Sequence, residues 1–191
     1  MKHLLLFSFL LVIAFLVNGQ ANNYTQDVKT EDAIIKALYE VISGEPNTPR
    51  DWDRFRFLFK PEGRLIPTRK SDSGDLVIKT LAAEEYIQLF QSRIPIGFFE
   101  RELSRKSESY GTVTHAFSTY ETKEKKDGPV TNRGINSIQL FKDKDRYYIV
   151  TIFWCAESMG FPLPAHYLNY YRLQAGRFTE SLKTSKVIQI S

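Results

Sequence analysis

Cysteine is nearly missing from this sequence: Cys155 stands alone. A single thiol excludes an intrachain disulfide framework and any multi-cysteine metal or iron–sulfur site. Histidine is scarce too. There are three, and His3 lies in an apolar leader, so neither a metal nor another cofactor is expected. No glycine-rich phosphate loop and no nucleophile elbow occurs, Gly97 and Gly111 standing alone. The body of the chain also lacks an excess of one charge. The net charge is +4, of which Lys2 supplies one unit and residues 165–191 supply three (Arg172, Arg177, Lys183 and Lys186 against Glu180). Residues 20–164 are therefore neutral, and nucleic-acid binding, which needs a clustered basic patch, is not expected.

A bilayer-length apolar run is absent as well. Leu4 to Val17 is apolar apart from Ser8, too short to span a bilayer and suited to the core of a signal peptide. Val17-Asn18-Gly19 offers a small-residue cleavage pattern before Gln20. The expectation is an exported protein, periplasmic or extracellular, with residues 1–19 removed and no membrane attachment afterwards.

What is present is an ordinary globular composition. The 191 residues suffice for one domain, with 42% apolar and 25% charged side chains. Aromatics are plentiful, with 14 Phe, 10 Tyr and 2 Trp. Residues 20–29 are polar and read as a flexible leader. Thr30 then caps a helix in which Ile34, Leu38, Val41 and Ile42 fall at helical spacing, with Gly44 as its stop. A second helix is expected from Thr48 as N-cap and Pro49, with Trp52, Phe55, Leu58 and Phe59 on its apolar face. Short strands follow at 64–68 and 76–80, then a helix from Leu81 to about Arg93 capped by Thr80. Beyond Pro95 the period becomes two, predicting long strands at 97–106, 112–122, 130–141 and 146–156. Helices followed by antiparallel strands make an α+β domain over 30–164, with 165–191 as a C-terminal tail that is polar and basic beyond Gly176.

This order resembles the nuclear-transport-factor-2-like (NTF2-like) superfamily, and above all its SnoaL-like bacterial members. The residues that carry the resemblance are Arg50-Asp51-Trp52-Asp53 through Leu58-Phe59, Gly63 to Pro67, Thr114 to Glu121, Arg133 to Ser137, and Tyr147 to Trp154. It implies a cone, with three helices packed on a strongly curved, mostly antiparallel sheet around a pocket. The superfamily includes ketosteroid isomerases, dehydratases, polyketide cyclases, epoxide hydrolases and non-enzymatic binders, so fold alone leaves function open. In the isomerase-like members a catalytic carboxylate sits on the first strand after the second helix. The matching stretch here, Leu65-Ile66-Pro67-Thr68, has no acid, which weighs against that chemistry.

Candidate site residues follow. Tyr39 is either a pocket hydrogen-bond donor or a core tyrosine. Asp53 flanks the apolar face of its helix beside Trp52, as a pocket acid or as an ion-pair partner of Arg56. His115 is either a general base or a structural histidine, and Glu121, roughly 20 Å along the same strand, is too distant to form a dyad with it. A hairpin turn at Asp143-Lys144 would set Arg133 opposite Trp154 and bring Glu121 beside Arg133, a cluster that either faces a ligand or packs the sheet end. Cys155 reads as buried and inert.

Three functions remain open. The first is a binding protein for a small apolar or aromatic ligand, supported by the aromatic load and the missing strand acid. The second is a cyclase, dehydratase or hydrolase using Asp53 and His115, with Tyr39 as a further candidate. The third is an interaction module that forms a homodimer through the sheet's outer face, since 147–154 is apolar on both faces.

Overall fold

A computed structural model describes residues 23–168. The leader at 1–19 and the tail beyond 168 lie outside the described residues. The architecture is α+β, as the helix–strand order implies. Helices α1 (Glu31–Ile42), α2 (Trp52–Leu58) and α3 (Ala83–Phe90) cover one face of a six-stranded sheet. Its strands are β1 (Phe59–Lys70), β2 (Leu76–Ile78), β3 (Phe99–Tyr110), β4 (Val113–Lys123), β5 (Asn132–Asp143) and β6 (Arg146–Ala156), in the order β2-β1-β6-β5-β4-β3. Only β1 and β6 run parallel.

Helix α1 forms where its caps and apolar stripe agree. Thr30 Oγ1 accepts from Ala33 N at 3.1 Å. Ile34, Ile35, Leu38, Val41 and Ile42 are all buried, each contributing about 1.5–3 kcal/mol of hydrophobic transfer. The helix is closed from outside by Arg50. Its Nε donates to Ile42 O at 2.9 Å, a carbonyl that the helix leaves open, and its Nη2 to Gly44 O at 2.8 Å just beyond the helix end. A β-carbon at Gly44 would lie 2.6 Å from Arg50 Nη1, so any larger residue would push the guanidinium off these carbonyls.

Several boundaries differ from expectation, each for a local reason. Residues 24–28 are not loose. They form a 3₁₀ turn that buries Val28, held by Arg54 on Asp27 at 2.7 Å and by Tyr24 on Asp51 at 2.8 Å. Helix α2 is capped by Asp51 rather than Thr48, because the Asp51 carboxylate accepts from Arg54 N at 2.9 Å. Helix α3 starts after Ala82, whose N–H is taken by Glu85 Oε2 at 2.8 Å.

The last hairpin turns at Lys144-Asp145, with Lys144 at φ 53° and Asp143 paired with Arg146. A register shift at Gln139/Leu140 leaves Val150 bulged. Together these move the expected register by three residues, so Asn136 rather than Arg133 faces Trp154.

A second bulge matters more for the site. In β3, Glu102 pairs with Tyr120 and Ser104 with Thr119, so Leu103 is the extra residue. Glu100, Glu102 and Arg105 thereby share the helix-covered face, and Ser104 turns outward. On the outer face Tyr167, in the short helix α4 (Ala165–Leu168), packs on Phe117 at 5.5 Å, and its carbonyl accepts from Ser104 Oγ. Phe153 and Val150 stay exposed on this face.

Candidate functional site

The helices and sheet border a cavity of about 630 Å³ that opens to solvent. Its walls are aromatic and aliphatic, from Phe55, Phe90 and Phe98 to Ile152 and Trp154. The ring contacts fix this wall. Tyr86 stacks on Phe55 at 5.5 Å and meets Trp154 edge-on at 6.3 Å, and Phe90 meets Phe98 edge-on at 5.3 Å. Leu65 and Pro67 of β1 line it where the isomerase-like members carry an acid.

The polar groups come from the opposite wall. Glu100 from β3, Tyr120 from β4 and Asn136 from β5 all line the cavity, from inward positions of three adjacent strands that are offset diagonally by two residues each. Burial pushes the Glu100 carboxyl up to about 8, and an Asn136 Nδ2–H bond to its Oε1 at 3.4 Å pulls weakly the other way. At neutral pH this carboxyl is protonated and can donate. Burial, reinforced at high pH once Glu100 ionises, also drives the phenols of Tyr39, Tyr86 and Tyr120 well above the usual range, so all three remain hydroxyl donors.

Behind the cavity wall runs a directed chain of hydrogen bonds. Asn136 Nδ2 donates to Tyr39 Oη at 3.1 Å. Ser118 Oγ spends its one hydrogen on Glu102 Oε1 at 2.6 Å, so Tyr39 donates to Ser118 at 2.7 Å. Glu102 is anchored by Arg105 Nε at 3.1 Å, and Arg105 in turn binds Glu31 at 2.9 Å and Asp32 at 2.6 Å at the start of α1. Glu100 and Glu102, roughly 6–7 Å apart on one strand face, thus have different surroundings. One borders the aromatic-walled cavity, the other a guanidinium.

By contrast, the hydroxyls of Tyr86 and Tyr120 make no hydrogen bond among the described residues. Both residues line the cavity, and Tyr120 is only 4% exposed. Gly134 makes room for Tyr120. A β-carbon there would lie 2.5 Å from its Oη and 2.5 Å from Cys155 O.

Of the sequence candidates, Tyr39 stands behind the polar wall and Trp154 lines the cavity. Trp52 supports it from outside, edge-on to Phe55 and Phe90 at 5.8 and 5.6 Å. The others do not converge on it. Asp53 has 85% of its side chain exposed and pairs with Arg56 at 2.9 Å. His115 points to the outer face, where its Nε2 meets Ser137 Oγ at 3.0 Å. Glu121 and Arg133 are cross-strand partners as expected, yet each binds elsewhere, Glu121 to Arg101 and Arg133 to Glu157, both at 2.7 Å. Trp154 lies on the other face of the sheet from them, so the expected three-residue cluster does not form. Among the described residues no group of three or more His, Cys, Asp or Glu is arranged to hold a metal ion.

The residues that sequence reasoning missed are Glu100, Tyr86, Tyr120 and Asn136. A signal existed for the first: Glu100 and Glu102 alternate with Arg101 in a segment expected to be a strand, which puts both acids on one face. A second cavity of about 710 Å³ borders Glu100 from the edge of β3. It is lined by charged side chains largely committed to each other, such as Lys36 with Glu40 and Arg101 with Glu121, and offers few free groups.

No family model and no curated protein matches this chain. Solved structures do. A protein of unknown function from Mycobacterium tuberculosis is 13% identical with a TM-score of 0.50, covering 71% of this chain and 72% of that one. An NTF2-like protein from Cytophaga hutchinsonii is 15% identical with a TM-score of 0.48, covering 65% and 96%. LinA is 7% identical with a TM-score of 0.47, covering 64% and 80%. At these identities the likeness concerns the fold.

Proposed function

We propose that this protein, whose fold is NTF2-like, holds a small molecule with an apolar, ring-like body in its cone and receives a neutral hydrogen-bonding group of that molecule at Glu100. One observation carries the reading. A carboxyl that burial keeps protonated stands with two unpartnered phenol hydroxyls on the wall of an aromatic cavity. These hydroxyls have no protein partner and face the cavity, so a ligand carbonyl or hydroxyl can take the place of water on them. The aromatic walls supply affinity through burial and ring contacts. Export through the leader at 1–19 belongs to the same reading, and N-terminal sequencing of the mature protein tests it.

The binding test uses 2-naphthol, which has a two-ring body and one hydroxyl. Calorimetry at pH 6.5 is expected to give saturable binding to the wild type and to Glu100→Gln, since glutamine mimics the neutral acid, and at least tenfold weaker binding to Glu100→Leu. Equal affinity in all three would refute a role for Glu100.

A second reading is acid–base catalysis at the same carboxyl in place of Asp53 and His115. The hydrogen-bond chain behind the wall favours it, because Asn136 connects Glu100 through Tyr39 and Ser118 to Glu102. Under this reading Glu100→Gln binds a substrate normally and fails to turn it over, whereas a pure binder shows no turnover in either form.

A further inference from the structure

Arginine usage in the described residues is uneven. Ten arginines are described, and eight donate side-chain hydrogen bonds to a carboxylate or a backbone carbonyl. The two that do not are Arg69 and Arg93, and both line the same aromatic cavity. They come from unrelated parts of the chain. Arg69 follows Pro67 and Thr68 along β1, and Arg93 closes the 3₁₀ turn after α3. Both residues are exposed, so they stand at the cavity's rim, whereas Tyr120 and Asn136 are buried within it. Lys123 adds a third cation to the lining, against one exposed acid, Glu124. The cavity is therefore polar but uncharged on its inner wall, apolar along its sides and cationic at its mouth.

That gradient selects a ligand class. Resting on the binding reading above, we infer that the ligand is a ring-bodied carboxylic acid, its hydroxyl or carbonyl end against Glu100, Tyr86 and Tyr120 and its carboxylate held at the rim by Arg69 and Arg93. A guanidinium fork matches a carboxylate in geometry as well as charge, and an exposed one keeps its hydration until the ligand arrives. The reverse orientation is disfavoured, because a carboxylate at the inner wall would lose its water beside a buried acid.

Calorimetry at pH 6.5 in low salt with 6-hydroxy-2-naphthoic acid and its methyl ester tests this, since the pair differs only in the anionic end. The acid is expected to bind at least tenfold tighter than the ester. Arg69→Gln and Arg93→Gln should each remove most of that difference while leaving ester binding unchanged. Raising the salt should narrow the difference as well. Equal binding of acid and ester would overturn the carboxylate and leave the cavity reading standing. A tighter acid whose advantage survives both substitutions would overturn the assignment to Arg69 and Arg93. Binding of neither compound would overturn both this inference and the reading on which it rests.

Discussion

Glu100→Gln is expected to flatten the dependence of stability on pH. The Glu100 carboxyl is raised from 4.5 to about 8 on folding, chiefly by burial. Between these values the folded chain holds a proton that the unfolded chain releases. The contribution is thus complete below about pH 4.5 and is lost as pH rises through about 8. A difference of between three and four units, at about 1.4 kcal/mol per unit, sets a ceiling of about 5 kcal/mol. The carboxyl borders a cavity open to water and accepts from Asn136 at 3.4 Å, both of which favour the charged form. The expected loss between pH 5 and 9 is therefore about 2–3 kcal/mol. Urea unfolding of wild type and Glu100→Gln at five pH values in this range measures it, the difference between the two proteins being the quantity of interest. Arginine, lysine or backbone partners hold Glu40, Glu84 and Glu157 below the usual carboxylate range. Those contributions disappear at acid pH in both proteins and cancel in the difference. Parallel pH profiles for the two proteins would refute the reasoning, since glutamine cannot titrate.

Three further outcomes are expected. Tyr39→Phe removes a buried hydroxyl that accepts from Asn136 and donates to Ser118, and should cost about 1–3 kcal/mol in denaturant titration; an unchanged midpoint would mean the chain is not coupled to the fold. Gly134→Ala places a β-carbon against the Cys155 carbonyl, which is backbone and cannot swing aside, so a loss of about 1–3 kcal/mol and weaker 2-naphthol binding are expected; wild-type behaviour on both counts would contradict the crowding. Asp53→Asn and His115→Ala should leave probe affinity within twofold, as one side chain is solvent-exposed on α2 and the other lies on the outer face of the sheet; a tenfold loss in either would return the site to those residues.

Local pattern by itself determined the elements. Strand β6 spans Arg146–Ala156 as its apolar residues predict, and Thr30 caps α1 as its hydroxyl and the Glu31-Asp32 pair suggest. The absence of an acid at Leu65 to Thr68 was also legible, and those positions do line the cavity. A period of two states that alternate residues share a face. It does not state which face the helices will cover. Glu100 and Glu102 read equally well as a solvated edge, and only the closure of α1 over β3 turned them inward. Register was beyond local reach too. The bulges at Leu103 and Val150 each add one residue, and one residue reverses every side chain beyond it. Glu121 and Arg133 were correctly paired by strand spacing, yet their ion pairs go to Arg101 and Glu157. Those partners are brought in from β3 and from the turn after β6, contacts set by the folded sheet rather than by neighbours in the chain. Tyr86, Glu100, Tyr120 and Asn136 around one cavity and Tyr39 behind its wall come from five different elements, and packing alone decides that they meet.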